Sequence, residues 1–238
     1  MNKELKSFWS SFFDFNWKFG IFLVLIICIP RFILVLFANS SGNYQFIGLI
    51  MVISAIAPFL FLSKFGRKEI GITKPQSLKW LFIALASGLI ASILLHYIGK
   101  ILYDNSFQNW YQYIAKSFDK SKGFALIAIT SMIFSPIGEE LLFRGIVHSS
   151  FAKSIGEKKA SIIDSSAFAL THISHFGLVF LNNKWDFFII PTILWVTGMF
   201  LVSLLFYTAR KQTGSILGAV LCHSAFNLGM VYCIFFLL

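Results

Sequence analysis

Seven apolar stretches run through this chain, at residues 18–38, 45–63, 80–99, 123–150, 160–181, 187–209 and 215–238. Each is long enough to cross the roughly 30 Å hydrocarbon core of a bilayer as a helix. In that core a helix is one of the few structures able to satisfy its own backbone hydrogen bonds. Only 13% of the 238 residues are charged, against about 25% in soluble domains. The pattern predicts an all-α fold: a polytopic transmembrane helical bundle of about seven spans, with the lipid bilayer as its first partner.

The net charge of +10 is then a topology signal rather than a nucleic-acid footprint, because Lys and Arg concentrate in the connections between runs. With the N-terminus on the cytoplasmic side, thirteen of these cations fall inside and five outside. This is a positive-inside bias that puts the C-terminus outside. Residues 1–17 read as a short amphipathic segment lying in the interface, and the first run reads as a retained span rather than a cleaved leader. Residues 103–122, with Tyr103, Phe107, Trp110, Tyr111 and Tyr113, read as an interfacial helix. Pro30–Arg31 interrupts the first run and reads as a tolerated kink, the alternative being that Arg31 snorkels or faces a partner. Cys28, Cys222 and Cys233 all sit in apolar surroundings without metal or disulfide spacing, as packing residues do.

Against this apolar background the stretch from Ser135 to Gly145 stands out, because it places Glu139, Glu140 and Arg144 inside the fourth run. Charge in a bilayer interior is costly, so it marks a functional site by default. On a helix Glu140 and Arg144 share a face at i and i+4, while Glu139 points elsewhere. Arg144 can therefore hold Glu140 ionised while Glu139 is left to act as a base; the alternative is a packing network between helices.

The fifth run carries Asp164, Phe168 and His172 on one face, with His175 a further turn along. Asp164 and His175 read as structural or supporting groups. The seventh run carries His223 and Asn227, two hydrogen-bond donors one turn apart. They can stabilise an oxyanion or simply join two helices. Together these residues contain the parts of a hydrolytic site, in which Glu139 and His172 deprotonate water and His223 and Asn227 receive negative charge. The sequence has no Gly-x-Ser-x-Gly and no His-Glu-x-x-His, and Asp164 has no aspartate partner within a span. Serine, conventional zinc-protease and aspartyl chemistry are thereby disfavoured. A divalent metal such as zinc on Glu139, His172 and His223 stays open, since that ligand set suits it.

Glu139–Glu140–x–x–x–Arg144, Phe168–x–x–x–His172 and His223–x–x–x–Asn227, in that order, resemble the three motifs of the CPBP membrane protease family. This is the CAAX-processing and bacteriocin-processing group, also called Abi. The resemblance covers residues 123–230 and divides the chain into an N-terminal membrane region, 1–122, and a catalytic core of four spans, 123–238. It implies an endopeptidase in which Glu139 and His172 activate water and His223 and Asn227 form the oxyanion hole. Glu140 and Arg144 would be supporting groups, and Phe168 would pack the site. A metal requirement has been argued for the family. The implied partner is a peptide or protein substrate at the membrane, with no nucleic acid. The Phe/Ile/Lys/Asn-rich composition points to a low-GC bacterium, where relatives act in bacteriocin processing, self-immunity or peptide signalling. The alternative reading is a non-catalytic membrane immunity or binding protein that retains the protease fold.

Overall fold

The computed structural model describes residues 3–43, 46–103 and 120–237. Helix α1, Trp17–Ser41, starts where the Asn16 side chain accepts from the Lys18 amide and stops at Gly42, whose φ of 72° a glycine adopts without strain. Its middle, Val24–Cys28, widens into a π-helical turn just before Pro30 and Arg31. Helix α2 is Ile47–Phe61, α3 is Lys64–Glu69 and α4 is Leu78–Tyr103. Helix α5, Lys120–Glu140, runs through a second π segment, Leu141–Val147, into α6, His148–Ile155. Helix α7 is Glu157–Thr171 and α8 is the single turn Ile173–Phe176. A hairpin of β1, Leu178–Leu181, and β2, Lys184–Phe187, follows; α9, Ile189–Thr213, and α10, Ile216–Phe236, complete the chain.

This is the expected all-α bundle, with the hairpin as an addition. Four of the described helices are long and apolar enough to cross a membrane: Trp17–Ser41, Leu78–Leu102, Ile189–Thr213 and Ile216–Phe236. The second apolar run yields a shorter helix, Gly48–Phe61. The fifth, expected as one span over 160–181, does not form a single helix. It ends as α7 at Thr171, turns through α8 and leaves residues 178–181 in a strand. Asn182 and Asn183 both take positive φ, 51° and 61°. That pair makes the tight turn that aligns Leu178 with Phe187 and Leu181 with Lys184 in antiparallel register.

Helix α10 lies at the centre, packed against α4, α5 and α9, while α7 packs against α6 and α9. Small residues allow the close approach of α4 and α10. A Cβ on Gly88 would collide with the Cys222 carbonyl oxygen, and one on Gly229 with Ser92 Oγ. The N-terminal segment does not stand apart from the bundle. Leu5 bridges to Leu62, and the Lys6 amide and the Trp9 indole donate to the Phe61 and Leu60 carbonyls at the end of α2. The aromatic stretch read as an interfacial helix over 103–122 falls largely outside the described residues. All three cysteines are buried and free.

Candidate active site

Five elements bring the polar residues of the apolar runs together in the interior. Helix α5 and its π segment supply Glu139, Glu140 and Arg144, which are 2%, 0% and 0% exposed. Helix α7 supplies Phe168 and ends at His172. Helix α10 supplies His223 and Asn227. The fifth element, α1, supplies Arg31.

Glu139 is fixed by one oxygen. Its Oε1 accepts from Arg31 Nη2 at 2.8 Å and from Ser135 Oγ at 2.8 Å, while Oε2 has no hydrogen-bond partner among the described residues. Burying a carboxylate is tolerable only when it is paired and hydrogen-bonded, and here Oε1 meets both conditions. The other oxygen is left available for chemistry.

Glu140 turns the other way, as the helical spacing predicts. Its Oε2 lies 3.2 Å from Arg144 Nε, and its Oε1 accepts from His223 Nδ1 at 2.7 Å. Arg144 in turn donates from Nη2 to Ser203 Oγ at 2.6 Å. Its guanidinium lies over the Phe168 ring, 4.2 Å from the centroid. Phe168 is thus a shared floor. Its ring centroid is 4.6 Å from His172 and 5.8 Å from His223, and it meets Phe143 edge-on. Phe206 stacks on His223 at 4.5 Å and 15°.

The histidine partners fix the orientation of the rings. His172 Nδ1 donates to the Phe168 carbonyl at 2.8 Å, which holds the ring against the end of α7. His223 spends Nδ1 on Glu140 and keeps Nε2 free of that bond. Glu139 interacts electrostatically with both His172 and His223. Asn227 donates from Nδ2 to the Ser131 carbonyl on α5 at 2.8 Å, which ties α10 to α5. Of the two roles open for His223 and Asn227, joining helices is therefore performed by both: His223 binds Glu140, and Asn227 binds Ser131.

Asp164, expected to be structural, lies apart from Glu139. Its Oδ2 pairs with His148 Nδ1 at 2.5 Å, and His148 Nε2 meets Glu157 Oε2 at 3.0 Å, where Tyr207 also donates. His175 is buried, and its ring centroid lies 5.6 Å from that of His172. Among the described residues no three His, Cys, Asp or Glu side chains converge to hold a metal ion. This includes the set Glu139, His172 and His223.

Of the readings of Pro30–Arg31, a tolerated kink and a charge that faces a partner, the structure supports the second. The Arg31 charge is buried and faces the site. Its partner lies 108 residues away, so no local spacing announces the pair. A charge inside an apolar run was the signal that could have found it.

Residues 121–229 match the family described as Type II CAAX prenyl endopeptidase Rce1-like. This segment belongs to the CAAX protease family. Glu139, Glu140, Arg144, Phe168, His172, His223 and Asn227 all lie within the Rce1-like domain, whereas Arg31 lies before it. No curated protein and no solved structure matches the chain. With its apolar helices, the chain is a multi-pass membrane protein carrying a CAAX-type protease domain.

Proposed function

We propose that the Rce1-like domain is a membrane-embedded endopeptidase in which Glu139 and His172 activate a water molecule. The observation that carries this reading is the asymmetry of Glu139. One oxygen is held by two donors and the other has no hydrogen-bond partner among the described residues, and the carboxylate interacts electrostatically with His172, whose Nδ1 is tied to the Phe168 carbonyl. Glu139 Oε2 takes a proton from water as the water oxygen bonds to the scissile carbonyl carbon. His223 Nε2 and Asn227 face the negative charge that develops on the carbonyl oxygen. Collapse of the tetrahedral species breaks the C–N bond, and the proton held by Glu139 passes to the leaving amine.

His223 turns Nδ1 to the Glu140 carboxylate at 2.7 Å, which fixes the ring with Nε2 as the nitrogen for the carbonyl oxygen. Thus Glu140 and Arg144 support the site without touching the substrate. The substrate in this reading is a peptide, or a membrane protein with an accessible peptide bond, and the context suggested by the family resemblance is bacteriocin processing, self-immunity or peptide signalling.

The deciding experiment compares membranes from cells expressing the wild type and Glu139→Gln, with new protein and peptide termini mapped by mass spectrometry. Gln keeps the shape and removes the base. Termini formed only by the wild type are expected. Identical termini together with a biological activity retained by Glu139→Gln would overturn the enzyme reading and leave a non-catalytic immunity or binding protein.

A further inference from the structure

Helix α1 lies outside the Rce1-like domain, yet it forms one wall of the site. Arg31, Val35 and Asn39 are spaced i, i+4, i+8 and so share a face of that helix. Val35 is buried, Arg31 Nη2 reaches Glu139, and Asn39 Nδ2 donates to the Ser174 carbonyl at 2.9 Å. Ser174 belongs to α8, the turn that directly follows His172. One face of α1 therefore touches both the glutamate and the segment bearing the histidine. The two π segments flank the ion pair. One precedes Arg31 by three residues in α1, and the other begins two residues after Glu139. Such turns recur where a helix must re-aim a functional side chain.

From this geometry we infer that Arg31 is a positioning residue for the reaction, holding Glu139 as a carboxylate with Oε2 aimed away from it. The inference rests on the reading of Glu139 as the base. Arg31 contacts Glu139 through a single nitrogen and a single oxygen. A bidentate clasp would occupy both carboxylate oxygens and silence the base; this end-on pair leaves one free. Ser135 donates to the same Oε1, and so reinforces the asymmetry. Arg31 is a permanent cation at any working pH.

Removing the Arg31 guanidinium takes away one of the two donors that fix Oε1 and leaves the carboxylate free to turn.

The test uses the full chain in membranes and purified into lipid nanodiscs, with termini mapped as above. Arg31→Lys keeps a cation that can donate to Oε1 and is expected to retain cleavage within about tenfold of wild type, whereas Arg31→Met and Arg31→Gln are expected to lose about 100-fold. Unfolding temperatures of the purified variants separate this loss from a loss of packing. Equal loss of cleavage in Arg31→Lys and Arg31→Met, or cleavage kept by Arg31→Gln in a chain as stable as wild type, would mean that Arg31 only packs, and would overturn the inference. Cleavage by Glu139→Gln equal to wild type would instead remove the catalytic reading, whatever the Arg31 variants do.

Discussion

His223 donates a hydrogen bond from Nδ1 to Glu140 Oε1 at 2.7 Å, while the other oxygen of the same carboxylate faces Arg144 Nε at 3.2 Å. Adjacent residues on α5 thus serve opposite ends of the site. Glu139 faces the α1 wall, and Glu140 links α5 to α10. All three members of the Glu140 network are almost fully buried, so their charges are worth more together than apart. Removing one member of a buried pair leaves an uncompensated charge, whereas removing both leaves none.

Glu140→Ala and Arg144→Met are each expected to cost about 3–5 kcal/mol of stability. The combined Glu140→Ala, Arg144→Met variant should cost less than the sum of the singles by about 2 kcal/mol, within the range seen for contacting residues. Thermal unfolding in detergent, run as a double-mutant cycle, measures this. Strict additivity would mean that the pair does not exist as described.

Phe168 carries a second, separable effect. Its ring lies under the Arg144 guanidinium and against both His172 and His223. Phe168→Ala opens a cavity and should cost about 3–5 kcal/mol. Phe168→Leu restores most of the volume but not the π face, and should still lose about 1–2 kcal/mol through the missing cation–π contact. Equal stability of Phe168→Leu and wild type would show that the ring acts only as filler.

Much of this site was legible in the sequence. The i, i+4 spacings of Glu140 with Arg144, Phe168 with His172, and His223 with Asn227 placed each pair on one helical face, and the first five of these side chains do contact one another, while Asn227 bonds Ser131 instead. The spacing also separated Glu139 from Glu140. The partners across helices were not legible. That His223 binds Glu140, that Asn227 binds Ser131 and that Arg31 binds Glu139 depends on how α1, α5 and α10 are laid side by side, and helical periodicity says nothing of that. The fifth run misled for a different reason. Its apolar composition continues through Leu178–Leu181, and hydrophobicity alone does not separate a helix from a short strand. The Asn182–Asn183 pair was the local signal for the turn.

The His148 cluster should show a graded response. Asp164 is fully buried against His148, whereas the Glu157 side chain, on the other ring nitrogen, is 62% exposed. Asp164→Ala leaves a buried imidazole nitrogen without its partner and is expected to cost about 3 kcal/mol. Glu157→Gln should cost under about 1 kcal/mol. Partial burial pushes the Glu157 carboxyl up, but hydrogen bonds from His148 and Tyr207 and the charge of His148 outweigh it and hold the carboxyl below its ordinary 4.5. A depressed carboxyl stabilises the fold above its unfolded value. That small contribution should therefore be complete above about pH 4.5 and fade as pH falls through the lowered value. Unfolding temperatures of wild type and Glu157→Gln should converge in acid. A gap that widens toward low pH would contradict this sign.

Gly138 precedes Glu139 and sits where α5 crosses α2. A Cβ there would lie 2.5 Å from the Met51 carbonyl oxygen, which is backbone and cannot swing aside. Even Gly138→Ala must therefore push α5 and α2 apart, and the displacement falls on the residue next to the base. In an unconstrained helix interior the same exchange stabilises by roughly 0.5–1 kcal/mol. Gly48, at the start of α2, provides that reference, since a Cβ there meets nothing within 4 Å. Gly48→Ala is expected to leave the unfolding temperature unchanged or raise it slightly, and to leave cleavage intact. Gly138→Ala should lower the unfolding temperature and reduce cleavage at least tenfold, because a shift of about 1 Å at a catalytic group can cost about 100-fold in rate. Unfolding temperatures and mapped termini for the two variants, measured side by side, separate a packing constraint at Gly138 from simple helix propensity. Equal behaviour of the two would mean that α2 and α5 do not meet at Gly138 and Met51.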